Sequence, residues 1–329
     1  MPGSVTSVFS EPCDFEAALR EEGGLGLLIT GRGRFRARLT QIALDHLRLS
    51  AAEEHLARIA FVEVPADMVL IALPVAAGPA PVWGGIGMQA GGIITLGPGH
   101  RAHARTDGPC WWGNIRLPAE VLTRYGRALL GAMPALPLLA RRWRPAPAAK
   151  AHLRSLHAAA VRMAKVHPEI LIDPQAAHGL EQQLIHALVD CLSAGPMDED
   201  VSADRHRDIL ARFEGVFDMQ PFLRVAEICA VLGVSNGVLR RCCEEQLGMT
   251  PSSYLGLRRM QQVHRALRSG DLEAAGVAEV ARRYGVRDLG RFTTSYRAFY
   301  GELPTATLRR GASRGVTELT LGRPRVKFP

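Results

Sequence analysis

A ten-residue segment in the last third of the chain returns once, and that return restricts what the chain can fold into. "VAEICAVLGV" begins at Val225 and "VAEVARRYGV" begins at Val277, an offset of 52. Gly248-x-x-Pro251 returns as Gly301-x-x-Pro304 at an offset of 53, so one extra residue falls in or near the turn after Gly-Val. A repeated pattern of this kind marks a repeated structural unit. In each copy apolar residues stand at i, i+3, i+4 and i+7: Val225, Ile228, Cys229 and Leu232, then Val277, Val280, Ala281 and Tyr284. That spacing is one stripe of an amphipathic helix. Gly233 and Gly285 end these helices, where a left-handed residue is needed and glycine has no Cβ to clash. Ser235 and Asp288 stand where the next helix needs a side-chain cap. Helix, short glycine turn, second helix is a helix-turn-helix.

The second helix of each copy sorts by face. Leu239, Cys242, Cys243 and Leu247 point inward in the first, with Asn236, Gly237, Arg240, Arg241 and Glu244 opposite. In the second, Phe292, Tyr296 and Phe299 point inward, with Gly290, Arg291, Thr293, Thr294 and Arg297 opposite. Arginine can read guanine edges by a bidentate pair, asparagine reads adenine, and threonine or arginine can hold phosphates. Charge agrees with this reading. Residues 1–201 are balanced, with 19 basic and 19 acidic side chains, so the whole net charge of +8 lies in residues 202–329. Basic charge confined to one region is the footprint of a polyanion binder. The competing reading is a pair of ordinary helical hairpins with solvated arginine faces. Between the copies, "PSSYLGLRRMQQVHRALRSG" reads as one helix, opened by Pro251 and closed by Gly270. A single helix would hold the two units at a fixed separation, for major grooves about 34 Å apart.

The remainder divides by periodicity. From about residue 25 to residue 117 the signals are β: "FRARLTQIALDHLRLS" alternates at Phe35-Ala37-Leu39 and Leu47-Leu49, and "MVLIALPV", "GGIITLG" and "WWGNIRLP" are short apolar runs bounded by Gly and Pro. Residues 68–100 contain no charged residue, but Pro74, Pro79, Pro81 and Pro98 break them too often for a membrane-spanning helix. From Pro118 to about Gly195 the chain turns Ala/Leu-rich with helical spacing. Leu180, Leu184, Leu188 and Cys191 share one face, which packs on the β domain or on a second subunit. Acidic Gly195–Asp204 reads as a linker. The expected architecture is multidomain α+β: a β-rich sandwich or barrel-like sensor domain over 1–117, a helical dimerisation or linker segment over 118–200, an all-α domain with tandem helix-turn-helix units over 201–311, and a loose tail over 312–329.

No sequence feature points to catalysis. There is no CxxC pair, no complete glycine-rich phosphate loop at "GGLGLL", and no Gly-x-Ser-x-Gly elbow. His100 and His103 lack further ligands at a convincing spacing, so no metal is expected. No cofactor and no catalytic residue is expected. The six cysteines fit reduced thiols in a cytoplasmic protein better than a disulfide frame. Trp83, Trp111 and Trp112, with His100 and Arg105, are the candidate effector-binding residues, since aromatics with a few polar groups line small-molecule pockets. Core packing is the simpler reading of those tryptophans.

The segments "VAEICAVLGVSNGVLRRCCEEQLGMTPSSYLGLRRMQQVHRAL" and "VAEVARRYGVRDLGRFTTSYRAFYGELPTATLR" resemble the DNA-binding domain of the AraC/XylS family of transcription regulators over about residues 205–310. The resemblance implies a sequence-specific DNA-binding regulator, an activator, with promoter DNA, RNA polymerase and a small-molecule effector as partners, and a homodimer formed through the helical segment. It implies DNA contacts from Ser235, Asn236, Gly237, Arg240, Arg241 and Glu244 in the first unit. In the second it implies contacts from Arg287, Leu289, Gly290, Arg291, Thr293 and Thr294. Cys243 and Val286 stand where the family usually has Phe. Leu289-Gly290 is poorly equipped to read bases, so the second unit is expected to supply backbone contacts more than sequence choice. The N-terminal part is more loosely similar to the ethanolamine-utilisation regulator branch, through "FRARLTQIALDHLRLS" and "GGIITLGPGHRAHARTDGPCWWGNIRLPAEVL". A ligand-independent architectural DNA-binding protein is the alternative.

Overall fold

The computed structural model describes residues 2–20, 24–75, 81–88, 92–131, 140–193, 201–269 and 276–311. They fall into two compact units, the first over residues up to Gly31 and Phe35–Arg207 and the second from Asp208 onward with Arg32–Arg34.

In the first unit the described strands form two antiparallel sheets. One holds β1 (Gly3–Phe9), β3 (Ala37–Ala43), β4 (Arg48–Glu54), β11 (Cys110–Pro118), β6 (Met68–Pro74), β9 (Ile93–Leu96) and β12 (Arg141–Trp143), in that spatial order. The other runs β2 (Gly24–Ile29), β5 (Arg58–Glu63), β10 (Arg101–Thr106), β7 (Val82–Trp83), β8 (Ile86–Gly87). The alternation at Ala37-Leu39 and Leu47-Leu49 is realised in the hairpin β3–β4, whose register pairs Ile42 with Leu49. Those four residues are all buried. The uncharged stretch of residues 68–100 supplies β6 to β9, with Val69, Ile71, Leu73 and Ile93 buried in the core.

Two elements precede the first signal read from the sequence. These are β1, paired along its length with β3, and the helix α1 (Pro12–Arg20), which buries Phe15 against the rings of Phe9 and Phe35 at 5.4 and 5.7 Å. A seven-residue edge strand and a nine-residue helix are too short for periodicity to announce them. The strand β12, inside a stretch that reads as helical, is three residues long and held by Trp143, whose buried indole donates to Thr95 Oγ1 at 2.8 Å.

The helices α2 (Ala119–Leu130), α3 (Pro147–Val166) and α4 (Pro174–Leu192) pack on the seven-stranded sheet. Leu184, Leu188 and Cys191 are fully buried in one core with Leu49, Ile71 and Ile115, and Leu180 packs against it. The stripe therefore chooses the β domain, and the face that suggested a second subunit is used up within the chain. Glu181 locks the same junction. Its buried carboxylate accepts the backbone N–H of His46 at 2.8 Å and of Leu47 at 3.2 Å. The Gly195–Asp204 segment lies partly outside the described residues, and 201 onward is helical.

The second unit is all-helical: the latter part of α5 (Val201–Met219), then α6 (Val225–Leu232), α7 (Asn236–Leu247), α8 (Pro251–Ser269), α9 (Val277–Arg283), α10 (Leu289–Tyr300) and α11 over 304–311. Gly270, the expected end of α8, lies outside the described residues. No described helix is long and apolar enough to cross a membrane.

Candidate nucleic-acid interface

The two repeats fold alike at their turns. Gly233 and Gly285 take φ of 68° and 76°. Val234 N–H donates to Cys229 O at 3.1 Å, and Val286 N–H to Ala281 O at 3.0 Å. These equivalent six-to-one bonds close each first helix. Ser235 Oγ then accepts Val238 N–H at 3.3 Å and caps α7; Asp288 Oδ1 accepts Arg291 N–H at 2.9 Å and caps α10. The extra residue of the second copy is now placed. One turn is Gly233-Val234-Ser235, the other Gly285-Val286-Arg287-Asp288. The repeated glutamates differ in use: Glu227 accepts the Arg224 backbone N–H at 2.5 Å, whereas Glu279 pairs with Arg283.

The inward residues are inward. Leu239, Cys242, Cys243 and Leu247 are buried, as are Phe292 and Tyr296, while Phe299 is half-buried. Gln246, fully buried, joins the first set; a polar residue gave no such signal in the sequence. Cys243 fills the place of the expected Phe without leaving the core, and burial pushes its thiol well above the ordinary range. No disulfide joins any of the six cysteines.

Opposite the core, Ser235, Asn236, Gly237, Arg240, Arg241 and Glu244 are exposed on one side of α7. Arg240 Nε meets Glu244 Oε1 at 2.7 Å, so this pair must open before either side chain can reach a base edge. Nothing stands within 3.4 Å of a Cβ built on Gly237 or Gly290, so each helix presents bare backbone at its second residue. In the second unit Arg287, Gly290, Arg291, Thr294 and Arg297 are exposed. Leu289 packs half-buried on the unit's own core, away from the outward face. Thr293 and Thr294 donate their hydroxyl hydrogens to Leu289 O at 2.8 Å and Gly290 O at 3.1 Å. They retain only acceptor lone pairs, which cannot donate to a phosphate or a purine N7.

A clamp between the two helix-turn-helix motifs was not legible in the sequence. Arg259, on α8, donates to Pro221 O at 3.0 and 2.8 Å and to Leu223 O at 2.8 Å. The inserted Arg287 donates to Phe222 O at 3.1 Å. Gly285 lies against the same loop: a Cβ there would fall 2.6 Å from Pro221 O. The loop leading into the first helix-turn-helix is thus gripped by α8 and by the turn of the second helix-turn-helix. A buried polar chain holds α10 as well. Tyr296 gives its only hydrogen to Thr307 Oγ1 at 2.8 Å, so His264 Nδ1, 2.6 Å away, must be the donor to Tyr296. Thr307 in turn donates to Glu302 at 2.6 Å. Burial, with the cations Arg268, Arg310 and Arg265 around it, lowers His264 to about 3.

In the first unit a cleft opens between the two sheets, lined by Phe61, Leu70, Trp83, Trp112 and Asn114 among others. It brings together two of the five candidate effector residues. Trp83 and Trp112 form its walls, whereas neighbouring Trp111 points the other way, 41% exposed. Arg105 lies 3.6 Å from Asp107, and His100 is buried, which lowers it to about 4. His103 packs edge-on against Phe61, with ring centres 4.8 Å apart. No group of three or more His, Cys, Asp or Glu among the described residues is placed to hold a metal. Arg58 and Glu54, not singled out from the sequence, form a buried ion pair at the cleft. Arg58 Nε reaches the two carboxylate oxygens at 3.2 and 3.0 Å, and Trp112 Nε1 donates to Glu54.

Comparison with known proteins bears on the second unit. The family described as "Helix-turn-helix domain" matches residues 228–310. The "Probable thc operon regulatory protein" of Rhodococcus erythropolis is 36% identical over 87 residues, 26% of this chain and 26% of that protein. The "XylDLEGF operon transcriptional activator" of Pseudomonas putida is 36% identical over 86 residues, again 26% of each. The chain thus spans about a quarter of the length of the curated relatives it matches. Among solved structures, that of the AraC-like transcriptional activator CuxR aligns at a TM-score of 0.40 with 14% identity, over 87% of this chain and 100% of that one.

Proposed function

We propose that the C-terminal part of this chain is a DNA-binding domain of the AraC/XylS kind, and that the protein binds promoter DNA sequence-specifically and activates transcription in the cytoplasm under control of a small molecule. The observation that carries the DNA-binding reading is the pair of capped second helices, each with an apolar face in the core, α7 exposing Asn, Gly and Arg and α10 exposing Gly, Arg and Thr. On α7, Asn236, Arg240 and Arg241 are equipped for base edges, with Glu244 releasing Arg240 on contact. On α10, Arg291 and Arg297 supply charge to phosphates and bare backbone at Gly290 allows close approach. The clamp through Arg259, Gly285 and Arg287 keeps the two helices in one register.

The ligand reading rests on the cleft between the sheets, whose aromatic walls suit a small organic molecule. RNA polymerase is the partner that an activator would recruit. A homodimer would have to use a surface other than the Leu180–Cys191 stripe. The test is selection of binding sites from random DNA by the purified protein and by its R240A/R241A double variant. A reproducible motif for the parent, lost in the double variant while non-specific binding persists, is the expected result. Equal motifs from both proteins would remove α7 from the reading role.

A further inference from the structure

We propose that the cleft between the sheets takes an uncharged aromatic molecule bearing one hydrogen-bond acceptor and one donor, of the primary-amide kind, and discriminates against a carboxylate. The inference rests on the reading of that cleft as a ligand site. Its only basic residue among the described lining residues is Arg58, and Arg58 is spoken for. It is 3% exposed, its guanidinium bonds both oxygens of Glu54, Nη2 lies 3.0 Å from Oε1, and Nη1 donates to Ala104 O. A carboxylate entering the cleft would lose its water and meet a guanidinium already neutralised by Glu54. An uncompensated buried charge of that kind is strongly disfavoured.

The cleft nevertheless asks for polar atoms. Trp83 Nε1, a donor, and Asn114 Oδ1, an acceptor, are both buried, and neither has a hydrogen-bond partner among the described residues. Trp83 is 4% and Asn114 8% exposed, and both line the cleft. A buried donor or acceptor without a partner is costly, and a ligand that satisfies it recovers that cost. An amide does so at both atoms, its carbonyl accepting from Trp83 and its N–H donating to Asn114. Phe61, Leu70 and Trp112 provide the apolar surroundings for a ring system.

The experiment is calorimetric titration of the full-length protein at near-neutral pH with two probes of one shape, 2-naphthamide and 2-naphthoate. The amide should bind at least about tenfold more tightly, the equivalent of one unsatisfied buried polar group. W83F keeps the ring and removes Nε1–H. It should weaken the amide about fivefold and leave the naphthoate unchanged. E54Q leaves Arg58 without its counter-charge and should narrow or reverse the preference. Naphthoate binding as tightly as the amide to the parent would overturn the proposal while leaving the cleft a ligand site. An unchanged amide affinity in W83F would overturn the assigned donor. Binding of neither probe, by protein that still melts cooperatively, would overturn both the proposal and the ligand reading.

Discussion

A methyl group on Gly285 would sit 2.6 Å from Pro221 O, on a backbone held at φ 76°. Gly285→Ala therefore carries both a steric and a conformational cost, and is expected to destabilise the second unit by about 1–3 kcal/mol in chemical denaturation. Gly237→Ala, in open space at φ < 0, should change stability little by the same measurement. Arg259→Ala removes three charge-assisted hydrogen bonds from the loop before α6 and should cost about 2 kcal/mol. His264 sets a pH dependence. Its value in the fold, about 3, is below its ordinary 6.5, so the fold favours the neutral ring. The stability this group contributes is complete above pH 6.5 and is lost as pH falls from there toward 3. Cations Arg265, Arg268 and Arg310 oppose its protonation, and the Tyr296–Thr307–Glu302 chain faces it. The slope approaches about 1.4 kcal/mol per pH unit for one such group. His100 and His157, each lowered to about 4 by burial, should give the first unit a slope of the same sign. Melting curves from pH 7 to 5 check this, and H264N should flatten the loss in the second unit alone.

At the scale of elements, the two recognition helices share a cap, a core face and an exposed glycine, but not the same chemistry. On α7 the polar groups are free to turn outward once Arg240 releases Glu244. On α10 both threonine hydroxyls are bonded back to the helix, and Leu289 faces the core. Thr294→Ala should thus leave the preferred base unchanged, as read by binding-site selection. A changed base preference would contradict the division of labour between the helices. Much of this unit was legible in the sequence. The repeat placed the helices, the glycines their ends, Ser235 and Asp288 their caps, because each of these is a local requirement on backbone or side chain. What the sequence hid is what depends on distant partners. Arg259 and Arg287 grip carbonyls of a loop more than 30 residues away in the chain. Glu181 meets His46 and Leu47 across 135 and 134 residues. Glu54 and Arg58 are four apart on separate strands, a spacing that usually suggests a helix pair and here marks a buried bridge at the cleft. In the first unit the alternating hairpin was legible, and β1, α1 and β12 were too short to be.

At the scale of the whole molecule, charge and packing separate along the chain. The charge-balanced portion folds into two sheets backed by three helices, with its long apolar stripe buried inside, and the basic excess falls in the portion that carries α7 and α10. Binding to DNA should weaken steeply with salt, because each phosphate contact releases counterions. The most direct test of the account is hydroxyl-radical footprinting of the full-length protein on a selected site. Two protected blocks on one face of the duplex, about 34 Å apart, are expected. R240A/R241A should erase one block and R291A/R297A should weaken the other. A single continuous block, or two that respond to the same pair of substitutions, would contradict the tandem reading.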